Sequence, residues 1–296
     1  MKNSKYTILD GGMGQELYQR GIRGEQSIWS TNGLIKAPDV VRDIHIEFIE
    51  AGADVITTNT YCTGPHCLAQ VNMEDRYAEL TDLACDLALQ ARTKTDTDNK
   101  VKIAGSLPPL YGTYLPDIER DLKKMQDEYA QMIEVMVDKV DLFLCESMTT
   151  PEEAYAAASM AAQAGIPVWV AWTLADNTRA LLRTGDTIET AYKALNDIDN
   201  IEAYLFNCSI PEAMLPALKQ LKPLTDKPIG AYANGFAPIP AKRDRGDIEI
   251  IGKRHFNAEE YGAFVQEWIT QDATILGGCC EIGPAHIQYL TDMIEN

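Results

Sequence analysis

The sequence predicts a (β/α)8 barrel, also called a TIM barrel, that forms a single domain over residues 1–296. Short apolar segments typical of strands alternate with amphipathic segments typical of helices, eight times along the chain. Eight such units in 296 residues match the usual size of this fold. The rival architecture is a doubly wound open sheet. It is disfavoured because the turn from Asp10 to Gly14 lacks the G-x-G-x-x-G spacing of a dinucleotide-binding turn.

Eight segments have the composition of parallel strands that are covered on both faces. Val, Ile, Leu and Ala dominate them, and polar residues do not alternate strictly with apolar ones. We therefore predict strands at residues 6–11, 54–60, 101–107, 142–148, 167–174, 203–209, 229–234 and 273–279.

The segments between these strands carry helix signals. Pro38 opens a helical pattern that runs to Glu50, and proline is favoured at the first position of a helix. Thr150 and Glu153 fit a capping box at the start of a helix over residues 150–163. Further helices are predicted at residues 75–91, 118–139, 187–195, 211–221, 258–270 and 284–294. The long connections 175–186 and 235–257 have the length of lids or binding loops.

The charge balance limits the classes of partner. The chain has 44 acidic and 26 basic residues, with a formal net charge of −18. An acidic surface repels nucleic-acid phosphates and anionic lipids, so we expect neither a nucleic-acid nor a membrane partner. We find neither a membrane-length apolar run nor a signal-peptide core at the start, and we expect a cytoplasmic protein. The sequence leaves the oligomeric state open and allows a homo-oligomer.

Seven cysteines in a chain of this length indicate a metal or catalytic site more than a disulfide framework. Cys279 and Cys280 follow two glycines at the end of the eighth predicted strand, and Cys208 ends the sixth. In a barrel these strand ends meet at one face, so three thiols could bind one zinc ion and leave its fourth position open.

Successive strand residues point to opposite faces, so Cys279 and Cys280 can reach one ion only if the strand has already broken. Gly277 and Gly278 would permit that break through unusual dihedral angles. The alternative is that Cys208 and one of the pair are small core residues.

Other polar residues also follow the predicted strands. Glu146 ends an apolar run and would either bind an ammonium group or form a structural ion pair. Asp10 precedes a glycine-rich turn and could simply form that turn. Cys85 is expected in the core, whereas His66 is the histidine closest to the mouth; a Ser-His-Asp site is a poor fit.

Several motifs fall in order across almost the whole chain, and their combination is specific. They are Asp10-Gly11-Gly12-Met13-Gly14, the run from Ala53 to Tyr61 with Asn59 and Thr60, Glu146 before Thr150-Pro151, Asn207-Cys208, Ala233-Asn234-Gly235, and Gly277-Gly278-Cys279-Cys280 with the run from Pro284 to Ile287. With these motifs the chain resembles the homocysteine S-methyltransferase family, zinc enzymes on a (β/α)8 barrel.

The resemblance implies a role for each matching residue. Cys208, Cys279 and Cys280 would bind Zn²⁺, and Asn234 would sit beside the metal. Glu146 and Asp10 would hold the amino-acid part of homocysteine. Backbone groups near Gly11 and the turn at Asn59 and Thr60 would lie nearby.

The resemblance also implies a reaction, in which a methyl group passes from a small donor to the thiol of homocysteine and gives methionine. We expect no separate cobalamin or folate domain, so S-methylmethionine or S-adenosylmethionine is the favoured donor, with betaine as a further option. One rival is alkyl transfer to another thiol or to a selenol. A second is a non-catalytic zinc protein, with Cys62, Cys67 or Cys145 as the fourth sulfur ligand.

The chain departs from the family pattern at three places. Glu281-Ile282 follows the cysteine pair where Gly-Thr is usual, Gln15 replaces a common threonine, and Pro108-Pro109 replaces Gly-Pro after the third strand. All three lie at the predicted mouth, where they concern the donor and the exact thiol substrate more than the metal.

Overall fold

Eight parallel strands form a nearly closed barrel in the computed structural model, which describes residues 5–95, 100–111, 121–239 and 252–295. The strands are β1 (Thr7–Ile8), β2 (Val55–Thr57), β3 (Lys102–Leu107), β4 (Leu142–Met148), β5 (Val168–Thr173), β6 (Ile201–Asn207), β7 (Ile229–Tyr232) and β8 (Ala273–Leu276). Neighbouring strands pair in chain order from β2 to β8, and β8 pairs with β1. A parallel bridge between Leu9 and Val55 joins β1 to β2. The predicted fold is therefore confirmed.

Several strands end earlier than the sequence predicts. The predicted ends at residues 209, 234 and 279 are wrong, because β6 ends at Asn207, β7 at Tyr232 and β8 at Leu276. The chemically distinctive residues of these segments consequently lie in the turns that follow the strands. Such turns are free of the strict alternation of strand side chains, so consecutive residues can point toward one site.

Eleven α-helices are present in the described part of the chain. They are α1 (Met13–Gln19), α2 (Thr31–Lys36), α3 (Pro38–Glu50), α4 (Pro65–Leu68), α5 (Tyr77–Lys94), α6 (Leu122–Met136), α7 (Pro151–Ala162), α8 (Ile188–Lys193), α9 (Pro211–Leu221), α10 (Ala258–Ile269) and α11 (Pro284–Glu295). The eight predicted helices correspond to α3 and α5–α11. The predicted helix over residues 118–139 is α6, and its residues 118–120 lie outside the described residues. The short helices α1, α2 and α4 were not predicted.

Two apolar layers surround the strands. Side chains inside the barrel form one cluster that includes Leu144, Trp169, Leu205 and Tyr232. A larger cluster lies between the strands and the outer helices, as the apolar strand composition requires. Cys279 packs against the inner cluster, so the inner layer reaches the end of the barrel where β8 stops.

The two long connections are partly ordered by short bridges. In the first, Leu174 bridges to Leu182 and Leu181 to Thr187, so this segment folds back on itself. In the second, residues 240–251 lie outside the described residues, and Phe236 bridges to Lys253 on either side of them. Neither arrangement tests the predicted role as a lid or binding loop. Among the described helices, none combines the length and apolar character needed to cross a membrane.

One buried tyrosine of α10 ties the ends of β7 and β8 together. The Tyr261 hydroxyl donates to the Gly277 carbonyl oxygen at 2.7 Å and accepts from the Ala233 N–H at 3.1 Å. Tyr261 is fully buried, so water cannot replace these bonds.

Tyr261→Phe is expected to lower the free energy of unfolding by about 1–3 kcal/mol, because it leaves a buried backbone donor and acceptor without this partner. Urea denaturation would measure the change. Tyr289→Phe is the control, since the Tyr289 hydroxyl has no hydrogen bond among the described residues and its loss should matter little. Equal losses in the two variants would contradict the role given to Tyr261.

Candidate metal centre and substrate pocket

Three thiols converge at the mouth of the barrel. The sulfur atoms of Cys208, Cys279 and Cys280 all lie within 4.8 Å of one another. Cys208 is buried, whereas Cys279 and Cys280 are partly exposed. The trio is therefore closed on the β6 side and open to solvent on the side of the cysteine pair.

The cysteine pair lies in a turn and not on a strand. β8 ends at Leu276, and the turn that follows is fixed by main-chain hydrogen bonds to both neighbouring strand ends. The Gly278 N–H donates to the Asp10 carbonyl at 3.0 Å, and the Cys279 N–H donates to the Ala233 carbonyl at 2.9 Å. The predicted break before the cysteines is thus present, and it lets both thiols face the same point.

The role predicted for Gly277 and Gly278 needs correction. Neither has a φ in the left-handed region, so dihedral freedom is not what the structure uses. A Cβ on Gly277 would lie 2.5 Å from the Leu9 Cβ, and one on Gly278 would lie 2.1 Å from the Ile282 side chain. The two glycines are required because the turn packs too closely against its neighbours to admit side chains.

Gly11 and Gly12 complete the same close contact from the β1 side. A Cβ on Gly11 would lie 2.1 Å from the Ile282 carbonyl oxygen, and the Gly12 N–H donates to that oxygen at 2.9 Å. The predicted site residue Gly11 is therefore next to the cysteine turn, where its lack of a side chain holds the first and last strand ends together.

Cys208 is positioned through its backbone by a buried ion pair. Its φ of 50° lies in the left-handed region, which is uncommon for a residue with a side chain. Its carbonyl oxygen accepts from the Arg183 guanidinium and from the Thr173 hydroxyl, both at 3.2 Å. Arg183 lies 3.3 Å from Asp176, and the exposed fractions of these two side chains are 1% and 2%.

Asp176 also binds two further segments of the chain. Its carboxylate accepts from the Ile210 N–H at 3.0 Å and from the Ile239 N–H at 2.8 Å. The connection 175–186, in which a lid or binding loop was predicted, thus includes two charged residues that hold the turn after β6.

Two carboxyl groups lie beside the thiols. Asp10 accepts from the Thr57 N–H at 2.7 Å and from the Thr57 hydroxyl at 3.1 Å. Burial raises the pKa of Asp10 to about 8, against the hydrogen bonds from Thr57, and the nearby Glu146 carboxylate raises it further.

Glu146 accepts a hydrogen bond from the Ser106 hydroxyl. Burial raises the pKa of Glu146 to about 7, while Ser106 and Tyr232 lower it and Cys208 raises it. Neither Asp10 nor Glu146 has an ion pair with a cationic side chain among the described residues. A structural ion pair, the alternative considered for Glu146, is therefore not found in this part of the chain.

The other predicted site residues also lie at this end. Asn59 donates to the Ser30 carbonyl at 3.1 Å, and the Thr60 hydroxyl donates to the Ser106 carbonyl at 2.8 Å. Both side chains are therefore engaged with other segments of the protein, and the Thr60 backbone N–H and carbonyl are bonded to Thr58 and Thr63. Asn234 is buried, and its side-chain NH₂ has no hydrogen-bond partner among the described residues.

The donor set suits a soft divalent metal. Contact with Cys208 and Cys280, together with burial, raises the pKa of Cys279 well above its usual value, and Cys280 shifts in the same direction, with Cys208 as the main cause. A cation among the sulfurs would reverse this effect, because it stabilises thiolates. Thiolates select zinc and other soft metals. The residues present therefore fit the zinc ion that the sequence predicts.

The remaining four cysteines do not join the trio. Cys67 donates to the Ser27 carbonyl at 3.1 Å and lies against Cys62. Cys85 and Cys145 are fully buried, and burial raises the pKa of both thiols. A closed site of four thiolates, which a purely structural metal would favour, is not formed by these side chains.

Sequence reasoning missed four residues that shape this site: Arg183, Asp176, Tyr232 and Thr57. The first two come from the connection after β5, and nothing in their local pattern marks them as buried. Tyr232 ends β7 and belongs to the layer inside the barrel; its hydroxyl has no hydrogen-bond partner of ordinary geometry among the described residues. A polar residue at a strand end was the available signal for Tyr232 and Thr57.

The chain matches the model of one protein family over residues 7–294, and that family is described as homocysteine S-methyltransferase. Among curated relatives, homocysteine S-methyltransferase 1 of Brassica oleracea var. italica is 28% identical, with 96% of this chain and 92% of the relative covered. Selenocysteine methyltransferase of Astragalus bisulcatus is 27% identical, with 98% of this chain and 92% of the relative covered.

A solved structure is similar over the same length. The crystal structure of the homocysteine methyltransferase MmuM from Escherichia coli, in a metallated form, superposes with a TM-score of 0.81. It is 25% identical in sequence and covers 98% of this chain and 96% of its own.

The stability of the metal-free protein should depend on the titration of Asp10. The folded-state pKa of about 8 lies above the ordinary value of 3.8, so between them the folded state holds a proton that the unfolded state has released. The stabilisation from this group is complete below pH 3.8 and is lost as the pH rises through about 8. Asp10→Asn should therefore show a smaller fall in unfolding free energy between about pH 5 and about pH 8 than the wild type. Parallel pH profiles would contradict this assignment.

Arg183→Met is expected to lower the free energy of unfolding by about 3–5 kcal/mol, because it leaves the Asp176 carboxylate buried without its cation. It should also weaken metal binding, since the Cys208 carbonyl loses a donor. Chemical denaturation and a competitive metal titration would measure the two effects.

The matched control is Arg254→Met. Arg254 pairs with Glu212 at 2.6 Å, but both side chains are about a third exposed, so its loss should cost at most about 1 kcal/mol. The double variant Arg183→Met/Asp176→Asn should regain stability without regaining metal affinity. Unchanged metal affinity in both Arg183 variants would refute the positioning of Cys208.

Proposed function

Because the chain belongs to the homocysteine S-methyltransferase family, we propose that it transfers a methyl group from a small onium donor to the thiol of homocysteine and gives methionine. The predicted family and enzyme class are confirmed by the match over residues 7–294 and by the relatives that share almost the full length. The donor and the metal are part of the proposal.

One observation carries the proposal: three thiols lie within 4.8 Å of one another beside two buried carboxyl groups. Cys208, Cys279 and Cys280 would hold zinc. When bound, the metal would supply a fourth position for the substrate sulfur and favour its thiolate form at neutral pH. A free thiol is only slightly ionised there, because its pKa is about 8.5.

The two carboxyl groups would recognise the α-ammonium of homocysteine. Burial raises the pKa of Asp10 to about 8 and the pKa of Glu146 to about 7, both close to neutral pH. A bound ammonium would lower both pKa values, since an opposite charge nearby favours the carboxylate. Thr57 and Ser106 donate to these groups, so the carboxylates are already oriented before the substrate enters.

The transfer itself is a displacement at carbon. The homocysteine sulfur forms a new S–C bond with the donor methyl group as the bond between that carbon and the onium atom breaks. The electron pair of the broken bond stays on the onium atom, which becomes neutral, and the homocysteine thiol releases its proton to solvent when it becomes a thiolate. The protein's main contribution would be to align the two reactants, because orientation alone can supply a large part of a rate enhancement.

Small donors that carry their own leaving group suit this site. S-methylmethionine and S-adenosylmethionine are favoured because both are sulfonium ions that need no further cofactor, and betaine is the third candidate. The acceptor has one supported alternative. A relative 27% identical to this chain is a selenocysteine methyltransferase, so a selenol is the second acceptor to be tested.

The test uses zinc-loaded protein with homocysteine or selenocysteine and each of the three donors, and mass spectrometry of the products. Methionine from homocysteine is the expected result. Cys208→Ala should lose both zinc and transfer, whereas Cys85→Ala, which removes a buried thiol of α5 that is not part of the trio, should retain both. Full zinc occupancy in Cys208→Ala, or no methionine from the wild type with any donor, would refute the proposal.

A further inference from the structure

Two side chains near the cysteine turn contact the same lysine. The Lys253 ammonium lies 2.8 Å from the Glu281 carboxylate and 3.5 Å from the Gln15 side-chain oxygen. It also lies 5.6 Å from the centre of the Tyr18 ring. Gln15, Lys253 and Glu281 come from three separate segments, so this cluster is a tertiary feature that sequence patterns do not reveal.

The cluster is fixed beside the cysteine turn. Glu281 follows Cys280 directly, and the Gly235 N–H donates to the Cys280 carbonyl at 2.9 Å. Phe236 and Lys253 form an antiparallel bridge, and the Arg254 N–H donates to the Gly235 carbonyl at 2.8 Å. Main-chain bonds therefore place Lys253 against the turn that bears two of the three thiols.

Glu281 is held in an unusual conformation. Its φ of 67° is in the left-handed region, which glycine alone adopts without a steric cost. A Cβ on Gly235 would lie 2.8 Å from the Glu281 Cβ, so this side chain has little freedom. Its side chain is 7% exposed, and Lys253 supplies the opposite charge that such a buried carboxylate requires.

Lys253 retains the capacity to bind an anion. An ammonium has three N–H donors, and one of them is directed at the Gln15 side-chain oxygen, whereas the contact with Glu281 is an ion pair without hydrogen-bond geometry. The Lys253 side chain is 29% exposed, and it stands at the side where Cys279 and Cys280 are open to solvent. The nearby buried cation, Arg183, is committed to Asp176 and to the Cys208 carbonyl.

We propose that Lys253 binds the carboxylate of the methyl donor, with Glu281 and Gln15 as positioning residues that hold its ammonium. This inference rests on the proposed function and names the donor class: a carboxylate-bearing onium compound that approaches from the open side of the thiol trio. S-methylmethionine, S-adenosylmethionine and betaine share this chemistry. Asp10 and Glu146 face the homocysteine ammonium, so the two substrates would be recognised by groups of opposite charge.

The experiment measures steady-state kinetics of the zinc-loaded wild type, Lys253→Gln and Lys253→Arg with each of the three donors, and with trimethylsulfonium, which lacks a carboxylate. Lys253→Gln should raise the KM of the carboxylate-bearing donor by about tenfold, which corresponds to about 1.4 kcal/mol. Lys253→Arg should restore most of it. The KM of homocysteine and the kinetics with trimethylsulfonium should stay unchanged.

Lys222→Gln is the matched control, because Lys222 pairs with Asp272 away from the mouth and is exposed. An unchanged donor KM in Lys253→Gln, or an equal rise for trimethylsulfonium, would overturn the assignment of Lys253 and leave methyl transfer to homocysteine standing. Absence of transfer by the wild type with every donor would instead overturn the proposed function and this inference with it.

Discussion

The site depends on one geometric constraint: neighbouring residues on a strand point in opposite directions, so two adjacent cysteines can face one point only in a turn. The chain meets this constraint by ending β8 at Leu276 and by fixing the following turn, whose N–H groups donate hydrogen bonds to carbonyl oxygens at both flanking strand ends. Four glycines, at positions 11, 12, 277 and 278, then allow the turn and the first strand end to approach within contact distance. The same turn therefore closes the barrel against the first strand and brings the thiols together.

Charge is distributed around this turn in a consistent way. The carboxyl groups of Asp10 and Glu146 are buried close to the thiols without a cationic side chain beside them in the described residues, and burial raises the pKa of both. The buried cation Arg183 instead lies behind Cys208, where Asp176 balances it. The thiols and carboxyl groups at this site would therefore be stabilised in their anionic forms by a bound cation, either a metal ion or an ammonium group. A site of this kind suits a reaction that brings cationic and zwitterionic amino acids together.

The sequence predicted the repeating fold and most of the site because both follow local rules. β4, α3 and α9 have the predicted bounds, since apolar runs and proline starts mark them directly. Polar residues at strand ends marked Asp10, Glu146 and the cysteines for the same reason. The ion pair of Arg183 and Asp176 could not be predicted, because the residues that it binds, Cys208, Ile210 and Ile239, are distant in sequence. The function of Gly277 and Gly278 was misread because close packing, unlike dihedral freedom, is visible only in three dimensions.

The contact between Glu281 and Lys253 offsets an unfavourable backbone conformation in the cysteine turn. Glu281 adopts a left-handed backbone conformation that glycine would adopt without steric cost, so another interaction must offset this cost. The ion pair with Lys253, which a glycine could not make, is that interaction. On the proposal made for Lys253, the thiols and the two buried carboxyl groups would serve the acceptor, and the ion pair would serve the methyl donor. The same turn would then position both reactants, since Cys280 and Glu281 are adjacent in it.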